Sequence, residues 1–300
     1  MIKSYWQQKA WWEMLIKSHQ AEKIIEINWI FIEKRSVSMW EYWLFILWLK
    51  KELSKKDIKS LIEVCRKENA LFIQIENINY NQKLVFKEVE FKKWYYKKFI
   101  MPYTAVIDLE QTENEILWKM KPKWRYNIKV ANKNDIVVRE VEKTNENIAE
   151  YYNLMLETTS RDSFAWNSLE YYINFLRLLD NSKLLLAYKE DKTIAWWIFL
   201  FDKEVSIYYY WASTSDKKYR NLMAPYLLQW EAIKIAKDIW SKIYDFLWVA
   251  SPWEKNSSLS WVTDFKLKLT KDIRQVSDSY IFINKKIKYG LIKFLRVLKK

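Results

Sequence analysis

The sequence predicts a mixed α/β (α+β) chain of two tandem units, residues 1–142 and 143–284, followed by a basic helix over 285–300. Three observations predict it. Apolar runs of strand length alternate with amphipathic stretches of helical period. The alternation passes through two cycles. The 300 residues are half hydrophobic, enough chain and enough apolar surface for two cores of ordinary size. No apolar run approaches the ~18–20 residues of a membrane-spanning helix; WLFILWL (43–49) and AWWIFLF (195–201) are strand-length. The opening decade, MIKSYWQQKA, lacks the apolar core of a signal peptide.

In the first cycle EKIIEINWIFIEKR (22–35) and YWLFILWL (42–49) read as strands. SKKDIKSLIEVCRKEN (54–69) reads as a helix, with Ser54 as N-cap and Asp57 as the acid of a capping box. ALFIQIE (70–76) and YTAVIDL (103–109) are strands. In the second cycle Thr112 caps a helix that continues into KPKWRYNIKVANK (121–133), with a break near Pro122. DIVVREVE (135–142) is a strand, and ENIAEYYNLMLETTSR (146–161) and SLEYYINFLRLLD (168–180) are helices. Three consecutive strands, 183–190, 192–202 and 204–214, form a meander; one long helix over 217–239 and a strand over 242–249 follow. Residues 272–284 are strand-like. The terminal KKIKYGLIKFLRVLKK is expected to pack on the first unit with a lysine-rich outer face; the other reading lays it on an anionic membrane.

A net charge of +14, from 51 Lys+Arg against 37 Asp+Glu, suits an anionic partner: nucleic acid, a phosphorylated small molecule or an anionic membrane surface. A solvated lysine-rich surface explains it equally well. One cysteine, Cys65, and one histidine, His19, leave no internal disulfide, no cysteine metal cluster and no histidine-based triad. Cys65 lies on an apolar helical face and reads as core. A reducing, cytoplasmic setting fits.

The chain has 1 Gly and 19 Trp, against an ordinary glycine share of roughly 7%. The two counts together come to 20, close to a normal glycine complement. One genetic code reads UGA as glycine and another as tryptophan, so most of these tryptophans are expected to stand at glycine positions. Trp230, in LLQWEAIKIAK, is an exception that suits a real helical aromatic.

Four segments in order carry a resemblance. KMKPKWRYNIKVANK (119–133) resembles a K-x-R-x-N-I-x-x-A helix. ETTSRDSFAWNSLEYY (157–172) resembles T-x-x-R-D-x-F … Y-Y. YYYWASTSDKKYRNLMAPYLLQWEAIKIAKDIWSKIYDFLWV (208–249) resembles Y-x-x-G-A-S … A-P-x-L-L-x-W-E-x-I-x-x-A-K-x-x-G-x-x-x-Y-D-x-x-G. SWVTDFKLKL (260–269) resembles G-x-x-x-F-K. These are motifs of the FemABX family, whose members move amino acids from aminoacyl-tRNA onto peptidoglycan precursors. The resemblance covers nearly the whole chain and implies two tandem GNAT-like acyltransferase domains. The family has glycine where this chain has Trp211, Trp240, Trp248 and Trp261, and its W-G is here Trp11-Trp12. Two further departures are real. The arginine-glycine-proline turn of the first unit appears as FILWLKKE, and the helical hairpin arm of longer members is absent.

The resemblance implies aminolysis of an ester: a stem-peptide amine attacks the aminoacyl ester on tRNA. The implied partners are aminoacyl-tRNA and a peptidoglycan precursor, lipid II or UDP-MurNAc-pentapeptide, met in the cytoplasm or at the inner membrane face. The ester is already activated, so no metal and no cofactor are implied, and alignment with oxyanion stabilisation suffices. Lys266 of the F-K motif is the implied oxyanion stabiliser, and Phe265 shapes the channel for the tRNA 3′ end. Arg161 is expected to bind a phosphate or carboxylate of the precursor, or else to pair with Asp162. Tyr208 and Tyr210 alternate on a strand, share a face, and either hydrogen-bond the precursor or pack in the core. Lys34 and Arg35 carry over as contacts to the diphosphate. Asp108 is a candidate acceptor for the amine's proton, or a turn residue. Asp245 is expected in the cleft wall. Lys121, Lys123, Arg125 and Lys129 offer phosphate contacts to tRNA, or form a solvated helix face.

Three rivals remain on sequence grounds. An acetyl-CoA-dependent acetyltransferase needs backbone N–H donors at a glycine-rich turn, yet Met223 and Pro225 occupy that turn and Pro225 has no N–H. The others are a transferase acting on protein N-termini and a non-enzymatic basic protein that binds RNA or a membrane surface.

Overall fold

Two mixed sheets, each flanked by helices, make up the computed structural model of the chain, which describes residues 5–38, 41–47, 53–76, 90–162, 165–254, 257, 259–275 and 278–298. Residues 48–49 of the strand read at 42–49, 163–164 of the second motif and 299–300 of the last helix lie outside them. The first unit opens with α1 (Lys9–Lys17), β1 (Lys23–Ile27), β2 (Ile30–Ser38), β3 (Glu41–Leu47), α2 (Lys55–Lys67), β4 (Phe72–Glu76) and β5 (Lys92–Lys93). The second comprises β6 (Tyr103–Asp108), α3 (Glu113–Lys119), α4 (Pro122–Lys133), β7 (Val137–Val141), α5 (Asn145–Asp162), α6 (Leu169–Leu178), β8 (Ser182–Lys189), β9 (Lys192–Leu200), β10 (Val205–Ser213), α7 (Lys217–Arg220), α8 (Ala224–Asp238), β11 (Ile243–Val249), α9 (Ser260–Lys266) and β12 (Ile273–Gln275). The chain then returns to the first with β13 (Tyr280–Ile283) and α10 (Lys286–Leu298).

The compact units are Met1–Pro102 with Gln275–Lys300, and Tyr103–Arg274. The boundary expected after residue 142 therefore lies at 102. The cause is pairing: β6 runs antiparallel to β11, with Tyr103 opposite Val249 and Asp108 opposite Ile243. Periodicity marks a strand but does not name its partner. For the same reason the strand read over 272–284 divides in two. β12 lies at one edge of the β12-β6-β11-β10-β9-β8-β7 sheet, and β13 enters the other sheet between β4 and β5.

In the first unit, α2 lays Ile58, Leu61, Ile62 and Cys65 against Ile32, Leu44, Ile46, Ile73 and Ile75 of the sheet. The Ser54–Asp57 capping box closes as expected. Burial pushes the Cys65 thiol up to about 12, so it is an inert core group. The segment read as one strand over 22–35 is a hairpin. Asn28 and Trp29 form its two-residue turn at φ 49° and 65°, which reverses the chain between Ile27 and Ile30. Gln74 and Glu76 of β4 grip the loop after β5: Gln74 accepts from Tyr96 N (2.7 Å), and Glu76 accepts from Phe99 N (2.9 Å) and Ile100 N (2.7 Å).

In the second unit, β8, β9 and β10 form the expected meander. One face packs Trp197, Phe199, Tyr244 and Phe246 against Leu228, Ala232 and Ile233 of α8 and Trp124 and Ile128 of α4. A Thr112–Glu115 capping box starts α3. The helix read over 217–239 breaks at Asn221–Met223, because Met223 takes φ 61° and Pro225 sits in the first turn of α8. Two helices, α1 and α9, were not expected.

Candidate active site

A cavity of about 250 Å³ opens in the second unit, lined by β9 and β10, the N-terminal end of α8, and α9. Phe265 and Lys266, the last residues of α9, both line it. Lys266 is 4% exposed, and its Nζ donates to the Trp248 carbonyl at 2.8 Å. Burial pulls its pKa down to about 7, with the charge of Asp245 acting in the opposite direction. An ammonium has three N–H donors; Trp248 takes one.

The Trp248 carbonyl is aimed by a bulge. The β6–β11 register shifts between Asp245 and Trp248, and Leu247 takes φ 55°, a conformation that a bulky side chain adopts only when its surroundings impose it. Asp245, fully buried, supplies the restraint. Its Oδ1 accepts from Leu247 N at 2.6 Å and from the Thr104 hydroxyl, which is also 2.9 Å from the Leu247 carbonyl. Asp245 thus builds the bulge that presents a carbonyl to Lys266, a more specific role than a cleft wall. Asp245→Asn keeps an oxygen for Leu247 N and removes the charge. The Lys266 ammonium is expected to titrate at a lower pH in that variant, read by side-chain NMR; an unchanged or raised midpoint would remove Asp245 from this role.

Phe265 packs against Trp124 (4.8 Å between centroids), Tyr226 (6.0 Å) and Trp197 (6.4 Å), which fixes its ring in the cavity wall. Arg161, at the end of α5, lines the same cavity. Its guanidinium forks onto the Asp162 carboxylate (2.9 and 2.8 Å), and Nη1 donates to the carbonyls of Ser213 (3.1 Å) and Thr214 (3.2 Å). The pairing with Asp162 is present, and it holds the arginine at the cavity.

Tyr208 and Tyr210 do not share a face. The β10–β9 register shifts between them, so Tyr208 is opposite Phe199 and Tyr210 opposite the adjacent Ile198; the bulge turns two alternate residues to opposite sides. Tyr208 lines the cavity beside Trp197 (4.8 Å). Tyr210 packs on Tyr172 and Phe175 of α6, its hydroxyl 2.9 Å from that of Tyr171.

Asp108 is not brought to this cavity. It ends β6, accepts from Glu110 N at 3.0 Å in a turn, and lines a separate polar cavity with Lys119, Lys271 and Arg274. Lys34 and Arg35, in the first unit, are committed to internal partners. Lys34 pairs with Glu68 at 2.9 Å; Arg35 is buried, paired with Glu33 at 2.6 Å and 4.8 Å from the Phe99 ring centroid. Neither offers a free cation to a diphosphate in this arrangement. Lys121, just before α4, and Lys123 and Lys129 on it are exposed, whereas Arg125 is half-buried and donates to the carbonyls of Leu117 (3.3 Å), Trp118 (3.1 Å) and Met120 (2.5 Å) at the end of α3. Among the described residues no group of three or more His, Cys, Asp or Glu is placed to hold a metal ion.

Sequence reading did not assign Tyr219, Arg220, Tyr226 or Trp261 to a site, yet all line the cavity. The signal was the KKYRNLMAPY stretch: a chain break forced by Met223 and Pro225 turns the residues on both sides toward one opening. Pro225, in the first turn of α8, has no N–H, so the α8 N-terminus lacks a donor that a pyrophosphate cradle needs.

The FemAB family model matches residues 82–193 and 177–297. The crystal structure of FemX is similar at a TM-score of 0.80 and 16% identity, over 96% of this chain and 94% of that one. A conserved protein of unknown function from Bacteroides thetaiotaomicron is similar at a TM-score of 0.61 and 10% identity (92% of this chain, 90% of that one). L-PGS from Bacillus licheniformis follows at 0.54 and 13% (85% and 81%). At these identities the likeness is one of fold. No curated protein is similar in sequence at a significant level.

Proposed function

The chain belongs to the FemAB family, the acyltransferases of peptidoglycan-bridge formation, and on that premise we propose that it transfers an amino acid from aminoacyl-tRNA to the stem peptide of a peptidoglycan precursor, lipid II or UDP-MurNAc-pentapeptide. The observation that carries the reading is the buried Lys266 ammonium at the cavity, held by a backbone carbonyl and positioned beside Phe265. In the reaction the acceptor amine attacks the ester carbonyl carbon and forms the C–N bond. Negative charge gathers on the carbonyl oxygen, where a buried cation acts strongly because little water screens it. Collapse breaks the C–O bond, releases the ribose oxygen of the tRNA end and leaves an amide; the proton lost by the amine balances the one gained by that oxygen.

Arg220 at the cavity suits a carboxylate or phosphate of the substrates, whereas the Arg161 guanidinium is already held by Asp162 and the Ser213 and Thr214 carbonyls. The exposed Lys121, Lys123 and Lys129 suit the tRNA backbone, giving affinity without sequence readout. Incubation of the purified chain with labelled glycyl-, alanyl- or seryl-tRNA and each precursor tests the reading. Label in the precursor as a base-stable amide is the expected result. Label reaching only protein N-termini, or reaching no acceptor from any of the three tRNAs, overturns it.

A further inference from the structure

We propose that the first unit docks on an anionic lipid bilayer through the outer face of α10, a surface independent of the transfer reaction. The expected lysine-rich outer face is not what forms. Tyr289 is the inward residue, 7% exposed, with its ring 5.5 Å from Phe72 and 5.9 Å from Tyr96. Asn284 fixes the approach to the helix through the Ala70 carbonyl at 2.9 Å. On the other side Ile287 is 90% exposed, Leu291 58%, Phe294 61% and Leu295 49%. At the helical period these four fall within one arc of about 100°. Large apolar side chains at that spacing, left in water along one line, mark a binding surface rather than scattered exposure.

Charge selects the occupant. Residues 285–300 hold seven Lys/Arg and no Asp or Glu. Lys286 and Lys293 flank the stripe and are exposed, and Lys288, also exposed, pairs with Glu41. Lys293 lies over the Trp94 ring at 4.7 Å, which joins the helix to β5 and the loop after it (KKWYYK, 92–97), where Lys92, Lys93, Trp94, Tyr95 and Lys97 are exposed and Gln74 holds the backbone of Tyr96 and Lys97. An apolar stripe rimmed by lysines, beside an aromatic-basic loop, matches a helix lying in the interface of an anionic bilayer. Pairing two copies through this face would bring like charges together, so self-association is the poorer fit.

Co-sedimentation of the full chain with vesicles, without tRNA or precursor, tests the inference. Partition onto phosphatidylcholine vesicles containing phosphatidylglycerol is expected to exceed that onto phosphatidylcholine alone by roughly tenfold or more, and to weaken with salt. The double variant I287E/F294E is expected to lose roughly tenfold with an unchanged melting temperature, because both side chains are exposed. Equal partition onto the two vesicle types overturns the proposal. So does binding that I287E/F294E retains, which would be charge attraction alone, and so does a solution dimer that the same variant dissociates. A chain that binds vesicles but transfers nothing would leave this inference standing and remove only the transfer reading.

Discussion

Lys266→Ala is expected to lower amino-acid transfer by roughly 10²–10³-fold, the loss typical of one buried oxyanion donor, with tRNA binding retained. The pH dependence decides how the residue acts. Burial sets its pKa at about 7, so the ammonium fraction falls as pH rises past that value. The acceptor amine must itself lose a proton, and this raises rates with pH in every variant. The ratio of wild-type to Lys266→Ala rates removes that shared dependence. If the cation stabilises the oxyanion, the ratio is flat well below pH 7 and declines above it. If the neutral amine is instead the base that takes the nucleophile's proton, the ratio climbs through pH 7. A ratio near one at every pH would exclude Lys266 from the chemistry.

Stability supplies a second readout. The folded pKa of about 7 lies below the unfolded value of roughly 10.4, so between them the unfolded chain binds more protons at this site. Stability therefore rises with pH across that window, and the cost of burying the charge is fully present below it. Lys266→Met is expected to flatten this dependence and to melt higher than wild type below pH 7.

What was legible in the sequence was mostly local. Capping boxes at Ser54 and Thr112, the meander and the order of helices depend on neighbours a few residues apart. The F-K motif led to Lys266 because it is a contiguous pattern. What escaped depends on bulges and on partners far along the chain. A single extra residue, Tyr209, turns Tyr208 and Tyr210 to opposite sides, and no periodicity records it. The unit boundary moved because β6 pairs with a strand more than a hundred residues later. Lys34 and Arg35 looked available because Glu68 and Glu33 are matched to them only by the fold. The outer face of α10 was misjudged because composition counts its lysines but not which side Tyr289 anchors.

Trp240→Gly and Trp29→Gly are expected to stabilise the protein by about 1–2 kcal/mol each, whereas Trp230→Gly is expected to destabilise it by about 4 kcal/mol or more. The three differ in what the indole does. Trp240 follows Ile239, the C-cap of α8: its N–H reaches the Lys237 carbonyl (2.8 Å), Ser241 N reaches the Ala236 carbonyl (3.0 Å), and its φ is 63°. The same pair of bonds ends α1, α2 and α4, where His19, Asn69 and Asp135 hold that left-handed position, and glycine is the residue it favours. Trp29 holds the second position of a two-residue hairpin turn behind Asn28, where Asn-Gly is the favoured pair. Their side chains are 83% and 82% exposed, so glycine removes strain and gives up little packing. Trp230 is 7% exposed within α8, and its loss opens the core.

The buried tryptophans divide the same way. The indole N–H groups of Trp43, Trp124, Trp196 and Trp197 are enclosed without a hydrogen-bond acceptor, each a penalty of about 1–3 kcal/mol. The one glycine, Gly290, sits inside a helix and needs no left-handed φ. Trp197, Trp211 and Trp261 all line the cavity beside Lys266, so glycine there would widen it, while the Trp248 carbonyl that holds the lysine is backbone and would survive. Thermal melts of the three single variants, with peptide mass spectrometry of the chain made in its own cell, settle the assignment together. Raised melting temperatures at 29 and 240, with glycine in those peptides, make the wider cavity the one that binds substrate. Lowered melting temperatures at both, with tryptophan in the peptides, mean the narrow cavity is the native one, and the acyl group must reach Lys266 past three indoles.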